Sequence, residues 1–344
     1  MSDNYYKALL IDGDGKAELR DFPTPEINGD EVLVEPKYWG ICGSDLKLFY
    51  GEYNLPHEKG IIPGHEWVGY IKATGNKVTK FKTGERVTGE CSIFCDRCYF
   101  CTSVNKNLCK KIKKHGISAN GFATELKAVN QRYLHSLDNA DIDDRTACMI
   151  EPAAVVLQGL KKLENKGRGL KHVLILGAGA IGLLSGLMIM SKNPSVSVHI
   201  VDVNKKRTDL ADAFGMVGVL CDLDALAEIA QEDYYDLLVE TSGYKGYVDI
   251  VNRGVQPGGE VLLFSQPLGS TIPVELIVTK MISFHGNLGG AGSFEDAIDL
   301  IVQNKEKVSK IIDHDTGLAH MPELINNKSI SLKSGCKTIV AIAE

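Results

Sequence analysis

The sequence predicts an α/β protein of two domains, a β-rich first domain and a second domain built on a doubly wound parallel sheet. Three observations carry this. The chain has 344 residues, and single hydrophobic cores stop growing at roughly 250–300 residues before they divide. Up to about Cys109, short β-type runs are punctuated by single glycines and prolines, whereas from Ala140 onward longer helical patterns alternate with apolar strands. A glycine-rich turn separates one such strand from an apolar helix, the junction that a βα unit needs.

Composition narrows the class. The residues are 44% hydrophobic and 24% charged, as in an ordinary soluble globular protein. A net charge of −6 argues against broad attraction to nucleic acid or an anionic membrane. The opening Met1-Ser2-Asp3-Asn4 has neither the basic nor the apolar region of a signal peptide. A reducing, cytoplasmic location is therefore expected, in which close-spaced members of the nine cysteines bind metal or do chemistry rather than form disulfides. Cys91, Cys148, Cys221 and Cys336 fall outside any ligand pattern and read as small buried hydrophobes.

In the first domain, strand-like runs cover Tyr6 to Ile11, Glu31 to Glu35, Trp67 to Ala73 and Arg86 to Glu90. Cys95, Cys98 and Cys101, closed by Cys109, supply four thiolates spaced to converge on one tetrahedral Zn²⁺. Four cysteines fill the coordination shell. Such a site is structural, because a catalytic zinc keeps one position open. A second, sparser set is Cys42 with the pair His65-Glu66: a thiolate, an imidazole and a carboxylate make three ligands with a vacancy. Each half also has a plainer reading, a buried packing cysteine and a solvated His-Glu pair.

Glu151 stands between Met149-Ile150 and the apolar run Ala153 to Leu157, where a carboxylate is costly unless paired, protonated or metal-associated. The uncharged stretch from Val173 to Met190 has the length of a membrane span. Its Gly177-Ala-Gly179-Ala-Ile181-Gly182 frame divides it instead into strand, tight turn and helix. In that frame Gly177 permits the turn, Gly179 admits a pyrophosphate to the backbone, and Gly182 allows close helix–strand packing. The next strand, Ser197 to Val201, ends in Asp202, twenty residues past Gly182, where an acid bonds the adenosine ribose and disfavours a 2′-phosphate. NAD is expected over NADP, with Lys206 and Arg207 close enough to blunt the preference. Strands at Asp236 to Glu240 and Gly259 to Phe264 continue the alternation. Ser293 reads as the cap of a helix with Phe294, Ala297, Ile298 and Ile301 on its apolar face, and the tail strand Lys337 to Ala341 returns to the first domain.

The order Cys42-Gly-Ser44-Asp45, Gly64-His65-Glu66, Cys95/Cys98/Cys101/Cys109, Glu151-Pro152 and Gly177 to Gly182 resembles the zinc-dependent medium-chain alcohol dehydrogenases, and within them the polyol branch of sorbitol, galactitol-phosphate and threonine dehydrogenases. The resemblance spans essentially the whole chain. It implies a GroES-like catalytic domain at 1–152 and 289–344 that carries two zincs, a Rossmann NAD-binding domain at 153–288, and a homodimer or homotetramer. It further implies that Cys42 and His65 bind the catalytic zinc, with Glu66 or Glu151 as the carboxylate; the residues leave that choice open. Asp45 would then accept from the distal nitrogen of His65, and Ser44 would relay the proton of an alcohol acidified by zinc while its hydride passes to nicotinamide. Where the family often continues the relay through histidine, this chain has Lys47, a poor proton acceptor at neutral pH. Lys47 reads either as a contact to a polar or anionic part of the substrate or as a surface lysine.

The implied reaction is oxidation of a secondary alcohol in a polyol, cyclitol, aminocyclitol or sugar phosphate, with threonine as the amino-acid alternative. Two other classes compete. The run Lys110, Lys111, Lys113, Lys114, His115 beside the cysteine cluster would suit a nucleic-acid-binding zinc protein, but the acidic net charge makes a solvated lobe face the better reading. An NAD-binding protein without catalysis is opposed by the apparently complete ligand set. Trp39, Phe49, Tyr50, Tyr53 and Trp67 are expected mostly in the core, with stacking on a sugar-like substrate as their alternative role.

Overall fold

The computed structural model describes residues 5–163, 169–221, 225, 230–266, 269–330 and 335–343, so the opening Met1–Asn4 lies outside them. These residues fall into two compact units, one drawn from Met1–Ala154, Gly289–Leu332 and Lys337–Glu344, the other from Val155–Leu288 and Lys333–Cys336.

In the first unit a sheet runs in the order Ile312–Gly317, Lys337–Ala341, Glu31–Gly40, Glu66–Thr74, Arg86–Gly89 and Leu134–Ser136, with Lys127–Asn130 also on Glu31–Gly40. The long strand Glu31–Gly40 buries Val32 and Val34 at alternate positions, the period of two that fixes which face meets the core. Its register sets Trp39 opposite Trp67 and Gly40 opposite Glu66. Trp67 stacks on Phe122 with centroids 3.9 Å apart, and Trp39 meets Phe49 edge-on at 6.4 Å. Trp39, Phe49 and Trp67 are therefore core, as large aromatics generally are. The tail strand Lys337–Ala341 enters the same sheet, antiparallel to Glu31–Gly40.

The second unit holds a parallel six-stranded sheet in the order Val217–Leu220, Ser197–Asp202, His172–Leu176, Tyr235–Glu240, Val255–Leu263, Ser283–Gly286. Four consecutive residues of its central strand, Val173 to Leu176, are buried, as expected where both faces of a parallel sheet are covered. The uncharged stretch at 173–190 divides between the strand His172–Leu176 and the helix Ala180–Lys192, and no helix among the described residues is long and apolar enough to cross a membrane.

One local expectation differs. The helix Phe294–Gln303 begins after Ser293 and buries Phe294, Ala297 and Ile301, but the Ser293 side chain makes no capping hydrogen bond. Glu295 and Asp296 still place acidic charge in the first turn, where the helix dipole favours it.

Candidate active site

The four-cysteine lobe is built by a knuckle and a short helix. Asp96 takes a left-handed φ of 57°, which turns the chain between Cys95 and Cys98, and the helix Tyr99–Ser103 follows immediately. All four Sγ atoms lie within 4.8 Å of one another. A tetrahedron with Zn–S near ~2.3 Å has S···S edges of ~3.8 Å; Cys98 and Cys101 stand 3.5 Å apart, Cys95 and Cys101 3.9 Å. The amides of Cys95 and Lys111 both donate to Cys109 Sγ at 3.4 Å. Backbone amides also hold the Cys98 thiol down to about 6. The residues present fit a closed zinc site.

The second set lies around the start of the strand Glu66–Thr74. Cys42 caps the helix Gly43–Phe49, and its amide donates to Asp45 Oδ2 at 2.9 Å. Gly64 precedes His65 with φ of +97°, a left-handed turn that a side chain would resist. Glu66 opens the strand opposite Gly40, and a Cβ on Gly40 would stand 2.5 Å from Glu66 Oε2, so glycine there makes room for the carboxylate. Ligand atoms of Cys42, His65 and Glu66 all lie within 4.8 Å of one another, and a thiolate, an imidazole and a carboxylate are a donor set for zinc.

Glu151 stands outside that trio but shares its surroundings. It is buried in the first turn of the helix Ile150–Leu160, and burial, with Glu66 adding to it against His65, pushes its carboxyl up to about 7. Asp45 Oδ1 lies 3.5 Å from His65 Nδ1, too far for a good hydrogen bond, and both atoms are buried without another partner among the described residues. Burial opposes charge on His65, but Asp45 and Cys91 outweigh it and hold its pKa well above the ordinary value. Ser44 is half-buried in the helix's first turn, and Lys47 is exposed one turn on, with no ion pair among the described residues.

Two residues of this site were not foreseen. Lys337 is buried and donates to Glu66 Oε2 at 2.6 Å and to the Ile41 carbonyl at 3.3 Å. The available signal was a lysine opening an apolar strand-like run, which demands a partner. Cys91 is buried within electrostatic reach of His65, Glu151 and Cys42, and burial pushes its thiol up to about 12. No spacing rule would have picked it out.

The glycine-rich turn is assembled within the second unit. Gly177 has φ of +94°, and its amide donates to Val201 O at 2.8 Å. A Cβ on Gly182 would stand 1.9 Å from Gly177 O, whereas a Cβ on Gly179 would meet nothing within 4 Å. Gly182 thus serves packing and Gly179 leaves an open approach at the helix start, the cradle that a dinucleotide phosphate fits. Ile181 is half-buried in the first turn of that helix. Asp202 accepts from the Ala178 amide and the Asn204 amide, each at 2.8 Å. Arg207 donates to Asp202 at 3.2 Å and to Gly335 O at 2.6 Å.

Residues 28–139 match the alcohol dehydrogenase GroES-like domain family. The chain is 30% identical to sorbitol dehydrogenase of Halalkalibacterium halodurans, over 88% of this chain and 90% of that protein. It is 27% identical to D-altritol 5-dehydrogenase of Agrobacterium fabrum, over 91% and 93% of the two. Among solved structures, galactitol-1-phosphate dehydrogenase of Escherichia coli shares the fold with a TM-score of 0.83 at 24% identity, covering 97% of this chain and 99% of that one. With a zinc-type ligand set, a dinucleotide turn and relatives matched along nearly their whole length, the chain belongs to the zinc-type medium-chain alcohol dehydrogenases.

Proposed function

We propose that the protein is a zinc-dependent polyol dehydrogenase that moves a hydride between a secondary alcohol and NAD. The observation that carries this is the convergence of Cys42, His65 and Glu66 within 4.8 Å, in a chain that also presents an open Gly179 cradle. The relatives named for sorbitol and altritol support the polyol class. When bound, zinc supplies a Lewis acid for the alcohol oxygen and the nicotinamide supplies the hydride acceptor.

Cys42 and His65 hold the metal, and Glu66 is the carboxylate whose charge Lys337 shares. Glu151 faces the same site from its helix and orients what enters it. Ser44 carries the alcohol's proton outward; its hydroxyl makes no hydrogen bond among the described residues, which supports that role. Lys47 stands further along the same helix, and Lys47→Ala assayed with neutral and phosphorylated polyols tests whether it touches substrate. An unchanged kcat/KM for every substrate removes it from the site.

NAD is the preferred coenzyme, because Asp202 presents negative charge at the strand end and Arg207, held by Asp202 and Gly335, has its charge already engaged. The subunit works as a homo-oligomer. Val274, Ile277, Val278 and Met281 are 69%, 40%, 68% and 74% exposed on and beside one helix, adjoining the edge strand Ser283–Gly286, and an apolar patch next to an open sheet edge is what a second copy would cover. The nine free cysteines fit a reducing, cytoplasmic compartment. A screen of NADH production over polyols, polyol phosphates, aminocyclitols and threonine tests the reading. Zinc-dependent turnover of a polyol is expected, and turnover of threonine alone would replace it.

A further inference from the structure

Lys114 lies in the run Lys110, Lys111, Lys113, Lys114, yet the four differ: the first three are exposed and Lys114 is half-buried. Its backbone is unusually fixed. The Lys114 amide donates to Ser118 Oγ at 2.9 Å, and its carbonyl accepts from the amides of Ile117, Ser118 and Ala119 at 3.2, 2.9 and 3.0 Å. The turn so formed is pressed against the residue that precedes His65. A Cβ on Gly116 would stand 2.7 Å from the Gly64 amide nitrogen, a Cβ on Gly121 2.2 Å from the Gly64 carbonyl, and Phe122 N donates to that carbonyl at 3.0 Å. On its other side Lys114 pairs with Ser92, and His115 N donates to Cys91 O at 2.9 Å. Lys114 is therefore rooted between the His65 segment and the Cys91 segment.

Its ammonium has no polar partner among the described residues. Lys337 forms a 2.6 Å pair with Glu66, but Lys114 makes no side-chain hydrogen bond or ion pair among the described residues, although Glu151 and Cys91 both lie within its electrostatic reach. Tyr53 is in the same condition. It is half-buried within electrostatic reach of His65, Cys91, Cys42 and Asp45, and its hydroxyl makes no hydrogen bond among the described residues. A cation and a hydroxyl with unused donors, fixed beside a candidate metal site, are what a polar ligand meets on entering.

We propose that Lys114 and Tyr53 form the substrate-selecting wall of this site, and that Lys114 recognises an anionic group, phosphate or carboxylate, carried by the alcohol. The inference rests on the reading of the site as that of an alcohol dehydrogenase and deepens it. Tyr53 bonds a hydroxyl of the same molecule. The exposed Lys110, Lys111 and Lys113 contribute a positive field that favours anion approach without touching it.

The test is titration calorimetry of the zinc-loaded protein with a hexitol, the corresponding hexitol phosphate, threonine and inorganic phosphate. Wild type is expected to bind the hexitol phosphate or threonine about 30-fold more tightly than the hexitol, the scale of a charge-assisted hydrogen bond. Lys114→Met should bring the two to within about threefold, Lys114→Arg should keep most of the preference, and Lys113→Met should leave it unchanged. Equal binding of charged and neutral alcohols by wild type, a preference that survives Lys114→Met, or inorganic phosphate binding as tightly as the hexitol phosphate each overturns the proposal. Zinc-dependent NADH production from the hexitol, the hexitol phosphate and threonine is measured alongside. Failure with all three would overturn the dehydrogenase reading, whereas turnover with no anionic preference would overturn only the role of Lys114.

Discussion

Replacing Lys337 with methionine removes the one cation that ion-pairs with Glu66 among the described residues. The pair is 2.6 Å long with side chains 5% and 2% exposed, so water does not screen it. Breaking such a pair leaves a charge stranded in low dielectric at about 3–5 kcal/mol, while replacing both partners by neutral groups of similar volume costs far less. The chain has two tryptophans, Trp39 and Trp67, buried on neighbouring strands, with Trp67 following Glu66, so tryptophan fluorescence follows the unit that contains the pair. In urea unfolding of zinc-stripped protein, Lys337→Met should lose about 3 kcal/mol, and the double variant Lys337→Met/Glu66→Gln should recover most of that. In zinc-loaded protein the loss should be smaller, because the metal takes over the carboxylate's charge. A stripped single variant within about 1 kcal/mol of wild type, or a double variant no more stable than the single, would refute the reasoning.

Other consequences are equally specific. Cys98→Ser should lower bound zinc from two ions per chain to one and destabilise the lobe before it alters the chemical step, as metal content and unfolding would show. Gly182→Ala places a Cβ 1.9 Å from Gly177 O and should cost at least ~2 kcal/mol in stability. Gly179→Ala meets no atom within 4 Å, so it should leave stability within ~0.5 kcal/mol. The same variant should weaken NADH binding about tenfold, read by fluorescence titration. Asp143 caps the helix Asp144–Ala147, accepting from the Thr146 amide at 2.9 Å and hydroxyl at 2.7 Å; burial alone would raise its carboxyl, but these bonds hold it below the ordinary value. A lowered folded-state pKa stabilises above the unfolded value near ~3.9 and is lost as pH falls. Asp143→Ala should therefore cost ~1 kcal/mol near pH 7, and the gap to wild type should close in acid.

The fold class was legible because its signals are local. A glycine frame between an apolar strand and an apolar helix specifies a βα turn within a dozen residues, and Gly182 bears this out by lying against Gly177. The cysteine cluster is local in the same way, its four thiols falling within fifteen residues. The sparse site is of another kind. Cys42 and His65 are far apart in sequence and meet because neighbouring segments of one sheet lead into them. Lys337 lies 271 residues from Glu66, and only the entry of the tail strand beside Glu31–Gly40 unites them. Lys114 shows the opposite difficulty: a charge run reads as a solvated face, and the turn that half-buries one member depends on glycines at 116 and 121 packing on Gly64.

The central claim is that two zinc sites divide the work, with chemistry at Cys42 and His65. Zinc content and NADH production from a hexitol, measured on the same preparations of wild type and Cys42→Ala, test it most directly. Wild type should hold two zinc ions per chain and lose NADH production on chelation, regaining it with added zinc. Cys42→Ala should retain one zinc, an unchanged far-ultraviolet circular dichroism spectrum and no NADH production. Turnover that persists without zinc, or a Cys42→Ala protein with two zinc ions and full activity, would contradict the account.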